Sequence, residues 1–197
     1  MKHIILASGS PRRKELMGLI TDDFSIKTAA VDERLIEEKY RSEGYKSVAV
    51  NEARAKAEAV WNTLDISERE SSVVVAADTS VVLDDVIMGK PKDREDAVNM
   101  LTSLSGRSHS VITGVWVISS NYSEGFYEET FVHFAAYDDY QKNLIERYVD
   151  SGDPYDKAGA YGIQNGGALL VNKVDGDYFN VVGLPVMKLA RILEDIK

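Results

Sequence analysis

Val73-Val74-Val75-Ala76-Ala77 carries no polar side chain, and the next residue, Asp78, carries a full charge. So short a run, rich in β-branched residues and continued by Ser80-Val81-Val82-Leu83, predicts a buried strand over Val73 to Leu83. Any fold that buries this strand must also settle its carboxylate. An ionised group at that place has to be solvated, paired or bound to metal. Asp78 is therefore the first candidate for chemistry.

The chain has 197 residues, enough for one good core or two small lobes sharing a sheet, and a single domain over residues 1–197 with a cleft is expected. Hydrophobic residues at 44% and charged residues at 28% lie in the globular range. No apolar run approaches the roughly 20 residues that cross a bilayer, so no membrane partner is expected. Only Lys2 and His3 precede Ile4-Ile5-Leu6, too little for a secretory leader, and no cleavage is expected. The absence of cysteine excludes disulfides and thiolate chemistry and fits a reducing compartment, which points to the cytoplasm. A formal net charge of −9 argues against a nucleic-acid partner, because a phosphate backbone demands a broad basic face. A small phosphate ligand would have to be met locally. This gives weight to Arg12 and Arg13 and to Lys90 in its Gly-Lys-Pro turn.

The pattern predicts a first strand over Ile4 to Ala7 and a short helix capped by Ser10 with Pro11 at its first position. Arg12 and Arg13 then lie in the first turn, beside backbone N–H groups that attract anions. Ala49, Ala53, Ala57, Val60 and Leu64 form one stripe of a long helix over Val48 to Leu64. Asp84-Asp85 marks a turn, and Asp93 caps a helix over Arg94 to Leu104. Ser110 to Ser119 and Gly125 to Ala136 read as strands joined by a turn at Asn121-Tyr122-Ser123-Glu124. A helix over Tyr140 to Val149, a strand over Ala168 to Val174 and a C-terminal helix from about Leu184 to Asp195 complete the order. Mixed βα units and hairpins favour a layered α/β or α+β fold.

Each polar motif has a plain structural reading when taken alone. Ser8-Gly9-Ser10-Pro11-Arg12-Arg13 can be a capped turn, Asp78-Thr79 a turn after a strand, Glu33 a solvated loop charge, and Gln164 a solvated glutamine. Arg54 and Lys56 can be solubility charges. Their combination suggests more. Hydrolysis of a phosphoanhydride needs a divalent cation and a carboxylate that holds it or deprotonates water, and Asp78 and Glu33 suit both tasks; the cation would be magnesium or manganese. Paired arginines at a helix start suit phosphate, and Gln164, with both donor and acceptor, suits a nucleobase edge. Ser8, Ser10, Arg12, Arg13, Arg54, Thr79, Lys90, Lys157 and Gln164 form the candidate binding set. There is no phosphate-binding Gly-x-x-x-x-Gly-Lys-Ser/Thr loop, no Gly-x-Gly-x-x-Gly after a strand, and no metal-ligand spacing around His3, His109 or His133, which read as structural or surface groups.

From Leu6 to about Met187 the chain resembles the Maf family of nucleoside triphosphate pyrophosphatases associated with septum formation. The residues that carry the resemblance are Leu6 to Leu16, Ala77-Asp78-Thr79, Gly89-Lys90-Pro91, Leu104 to His109, Asp156 to Gln164 and Val182-Gly183-Leu184-Pro185, in the family's order. The resemblance implies an inosine-triphosphatase-like fold with a central mixed sheet and a cleft between two lobes. It implies hydrolysis of a nucleoside triphosphate to monophosphate and pyrophosphate, with a divalent metal, as housecleaning of the nucleotide pool, and it suggests a homodimer. Asp78 would be the catalytic base; Arg12, Thr79 and Gln164 would set preference for dTTP and UTP; Ser8, Arg13 and Lys90 would hold phosphates. Arg54 would stand where the long helix usually carries a functional lysine. The alternative is a nucleotide-binding regulator of cell division with little turnover.

Overall fold

The computed structural model describes residues 2–196. Its strands are β1 (His3–Leu6), β2 (Phe24–Ile26), β3 (Ser72–Leu83), β4 (Val86–Met88), β5 (Ser108–Ser119), β6 (Tyr122–Phe134) and β7 (Val171–Asp175). Its α-helices are α1 (Pro11–Met17), α2 (Glu33–Tyr40), α3 (Tyr45–Trp61), α4 (Ile66–Ser71), α5 (Arg94–Leu104), α6 (Asp139–Asp150), α7 (Tyr178–Val182) and α8 (Val186–Asp195). The strands form one mixed sheet in the order β2-β1-β3-β5-β6-β7, with β4 on β3. β1 runs parallel to β2 and β3, while β4 is antiparallel to β3 and β7 to β6. This is the mixed α/β class expected.

The chain divides into two compact units. The first comprises Met1–Asp78, Thr113–Glu128 and Gly183–Lys197; the second comprises Thr79–Ile112 and Glu129–Val182. In the first, Ile5, Ala7, Val74, Ala76 and Ile118 of the sheet pack with Ala57, Val60 and Leu64, flanked by Trp61 and Trp116. The alanine stripe lets α3 lie close to the strands. At Gly114 of β5 an added Cβ would stand 2.3 Å from the backbone of Ala49, so only glycine admits the helix there. In the second unit, α5 and α6 are joined by Arg94, which pairs with Glu146 and, at 2.9 Å, with Asp150. His109, Phe134 and Tyr161 meet edge to face, with centroids 4.8 to 5.4 Å apart.

Aspartates start much of this secondary structure. The side chains of Asp32, Asp65, Asp93 and Asp138 accept from the backbone N–H three residues on, at α2, α4, α5 and α6. Asp84 and Asp85 take φ of +51° and +62° in the turn between β3 and β4, a conformation aspartate tolerates, and Arg107 grips both oxygens of Asp84.

Three expectations are corrected. The turn read at residues 121–124 is a two-residue turn at Ser120-Asn121, and Tyr122, Ser123 and Glu124 already belong to β6. Tyr122 is β-prone and Trp116 Nε1 donates to Ser123 Oγ, so the hairpin is tighter than polarity suggested. The strand read over 168–174 is a 3-10 helix at Asn165–Leu170 followed by β7, because Asn165 takes φ of +52° and Gly166-Gly167 bend the chain. Glu33 lies in a helix, at the first position of α2, and not in a loop.

Gly114→Ala should lower the urea unfolding free energy by about 3 kcal/mol, since backbone rather than a flexible side chain blocks the new methyl. Burial, and then the neighbouring His133, pull the His109 pKa down from 6.5 to about 4. The unfolded chain protonates first, so stability present above pH 6.5 is lost as pH falls towards 4, at up to about 1.4 kcal/mol per unit. In His109→Gln, the urea midpoint should fall less steeply over that window than in the wild type.

Candidate active site

Asp78 lies inside β3, not at its end, and its side chain is 16% exposed. Lys56 of α3 places Nζ 2.5 Å from Asp78 Oδ1 and 2.7 Å from Glu33 Oε1. One turn earlier on the same helix face, Glu52 is 8% exposed and hydrogen-bonds to Asp78. Two carboxyls can share such a bond only with one proton between them. Burial, followed by the repulsion of Asp78, pushes the Glu52 pKa up to about 9, so Glu52 is the protonated donor. Burial alone would also raise Asp78, but Lys56 and Arg13 outweigh it and keep its pKa below the ordinary range. Asp78 is thus an anion and Glu52 a neutral acid at pH 7. For Lys56 burial opposes the charge, yet Asp78 and Glu33 hold the ammonium protonated.

The β1–α1 connection leads into Arg12 and Arg13 at the start of α1. Ser10 accepts from the Arg13 N–H as the expected cap, with Pro11 at the first helical position. Ser8 is buried, and its Oγ accepts from Ser10 N–H at 3.3 Å and from Arg13 Nη1 at 3.4 Å. Arg13 Nε donates to the Gly183 carbonyl at 2.9 Å, which explains why Val182-Gly183-Leu184-Pro185 accompanies the N-terminal motif. Burial lowers the Arg13 pKa, opposed by the charge of Asp78. Ser8, Arg13, Lys56, Glu33 and Asp78 thus belong to one linked group. Arg12 adds its charge beside Arg13.

The structure does not bring Arg54 to this group. Residues two apart on a helix face opposite sides. Arg54 Nε is 2.7 Å from Glu58 Oε1, and its guanidinium lies over Trp116. The helix lysine at Asp78 is Lys56, which sequence reasoning set aside as a solubility charge. Its spacing from Ala49, Ala53 and Val60 put it on the buried stripe, and a charge within such a stripe was the signal that could have found it.

In the second unit, Thr79 follows Asp78 directly in β3. Lys90 is exposed in its turn, and the preceding Gly89 carbonyl accepts from Gly159 N–H at 3.0 Å, tying that turn to the 156–164 segment. Lys157 is buried and donates to the Asp153 carbonyl, Asp153 Oδ1 and Asp156 Oδ1, which uses all three of its N–H groups within its own loop. Gln164 sits at the start of the 3-10 helix without capping it. His109 Nε2 and the Tyr161 hydroxyl are 2.7 Å apart, as befits a structural histidine.

Asp78 and Glu33 already converge on one cation, the Lys56 ammonium. Among the described residues no group of three or more His, Asp or Glu could hold a metal. Two carboxyl groups fit a magnesium-type ion that draws its other ligands from water and phosphate, and do not fit an ion caged by protein alone.

The Maf-like protein pattern matches residues 3–196. The chain belongs to the Maf family. It is 44% identical over 195 residues to the dTTP/UTP pyrophosphatase of Bacillus pumilus (strain SAFR-032), covering 98% of this chain and 96% of that protein. Over 192 residues it is 44% identical to the dTTP/UTP pyrophosphatase of Thermosipho africanus (strain TCF52B), covering 98% and 92%. Among solved structures, the Staphylococcus aureus Ham1 protein superposes with a TM-score of 0.52 over the whole of both chains at 14% identity, a likeness of fold alone. The Maf chain has no helix among its described residues long and apolar enough to cross a membrane.

The shared proton can be observed directly. In this Maf protein the Glu52 carboxyl, followed by carbon NMR, should titrate near 9. In Asp78→Asn, loss of the neighbouring negative charge should move that titration down by at least about one unit. An unchanged Glu52 would show burial alone to be the cause.

Proposed function

We propose that this chain is a nucleoside triphosphate pyrophosphatase that hydrolyses dTTP and UTP to the monophosphate and pyrophosphate. The observation that carries the reading is a largely buried, ionised carboxylate, Asp78, held by Lys56 and by the charge of Arg13, in a chain whose relatives named dTTP/UTP pyrophosphatase match over nearly its full length. Asp78 orients the attacking water and takes its proton as the water oxygen bonds to the α-phosphorus. The bond from that phosphorus to the bridging oxygen breaks, and pyrophosphate leaves with the electron pair. Arg12, Arg13, Lys56 and Lys90 offset charge on the phosphate oxygens, and Ser8 holds one by its hydroxyl. Arg54 has no part in this.

Asp78 and Glu33 would hold a divalent cation, magnesium or manganese, which when bound neutralises phosphate oxygens and acidifies water. The donor set supports this because both carboxylates already serve a cation. Gln164 reads the base: its amide offers a donor and an acceptor to the carbonyls and N–H of uracil or thymine. Thr79 and Arg12 share in that preference by the family pattern. Lys157, engaged by its own loop, supports the loop and does not touch substrate. We place this work in the cytoplasm, where the triphosphates are.

Purified protein with magnesium and dTTP should yield dTMP and pyrophosphate; dTDP with orthophosphate, or nucleotide bound but intact for hours, would contradict the reading. Asp78→Asn should cost about 10²–10⁴-fold in kcat. Lys56→Ala should cost about 10²-fold, whereas Arg54→Ala should stay within about threefold of the wild type. The opposite order for the two helix residues would return Arg54 to the site.

A further inference from the structure

The segment that carries Gln164 is held by two side chains from different elements. Tyr148 of α6 is 4% exposed; its hydroxyl accepts the Gly162 N–H at 3.1 Å and donates to Asp153 Oδ2 at 2.7 Å. The segment wraps around that phenol. A Cβ at Gly166 would stand 3.2 Å from Tyr148 Cδ2, and one at Gly167 would stand 3.1 Å from the Tyr148 hydroxyl and 2.0 Å from the Gly162 carbonyl oxygen. One residue before Gly162, the Tyr161 ring is 6% exposed, packs on Phe134, and has its hydroxyl 2.7 Å from His109 Nε2. Consecutive residues 161 and 162 are thus pinned from α6 and β5, two residues ahead of Gln164.

We propose that Tyr148 and His109 are positioning residues for base selection: by fixing Tyr161 and Gly162 they set the direction in which Gln164 presents its amide. The inference rests on the reading of Gln164 as the group that contacts the base. A hydrogen bond that discriminates between bases must hold its partner to within about half an ångström, so slack in this segment costs selectivity. Asp78 and Lys56 belong to other segments, and the chemical step is touched less. The half-buried Gly162 N–H has a further role here. Without the Tyr148 hydroxyl it must seek a new acceptor, and the segment shifts with it.

The test compares kcat/KM for dTTP and dGTP in the wild type, Tyr148→Phe, Gln164→Ala and the double variant, with thermal transitions recorded for each. Tyr148→Phe should lower the dTTP-to-dGTP ratio about tenfold, chiefly through KM for dTTP, and should change the ratio less than twofold once Gln164 is alanine. A fall in the ratio for Gln164→Ala with none for Tyr148→Phe overturns the positioning role and leaves the base reading intact. An unchanged ratio in Gln164→Ala overturns the base reading and this inference with it. If Tyr148→Phe does not fold, Tyr161→Phe removes only the hydroxyl that meets His109 and should lower the ratio in the same way. His109→Gln, whose amide can still reach that hydroxyl, should keep the ratio; His109→Leu should lower it, and equal ratios for the two would refute the part assigned to His109.

Discussion

The contact on which the first unit turns is that between Lys56 and Asp78. A carboxylate inside a strand whose neighbours from Ser72 to Ala77 are all buried would be untenable alone. The ammonium of Lys56 makes it tenable, and it serves Glu33 at the same time. Glu52 removes the remaining difficulty by keeping its proton, so that it adds no charge, and donating its O–H to Asp78. The outcome is an anion held ready in a poor solvent for anions, where its interactions are stronger than in water.

That contact depends in turn on how closely α3 approaches the sheet. Alanines at 49, 53 and 57 and the glycine at 114 remove the side-chain bulk that would hold helix and strands apart. Lys56 lies four positions after Glu52, so one helix face presents both to Asp78. Packing and chemistry are thus the same constraint in this protein. A methyl group at position 114 of β5 would press on the backbone of Ala49 in the same helix that carries Lys56.

Much of this was legible in the residues. The capped start of α1 at Ser10, the limits of α5 at Arg94–Leu104 and the length of β3 follow from local chemistry that nothing distant overrides. Family motifs singled out Asp78 and the arginines as candidates, although not the partners that the fold gives them. The stripe of Ala49, Ala53 and Val60 marks Lys56 as a charge on the buried helix face, but its partners are tertiary: its side chain crosses from helix to strand to reach Asp78. Glu52 was illegible for the same reason, since its proton is decided by a carboxylate 26 residues away in sequence. The 3-10 helix at Asn165–Leu170 was misread as strand because Ala168-Leu169-Leu170-Val171 is apolar, while the bend is set by Asn165 and two glycines. Lys157, read as a ligand for substrate, is consumed by two aspartates of its own loop, a pairing that spacing suggests only after the turn is known.

The central claim is that Asp78 and Lys56 work as one unit. A double-mutant cycle on turnover tests it most directly, with Asp78→Asn, Lys56→Met and the double variant assayed on dTTP under identical magnesium and salt. Groups that act together lose their function together, so the double variant should be no more than about threefold slower than the worse single variant. Losses that multiply across the two substitutions would show independent roles and contradict the account.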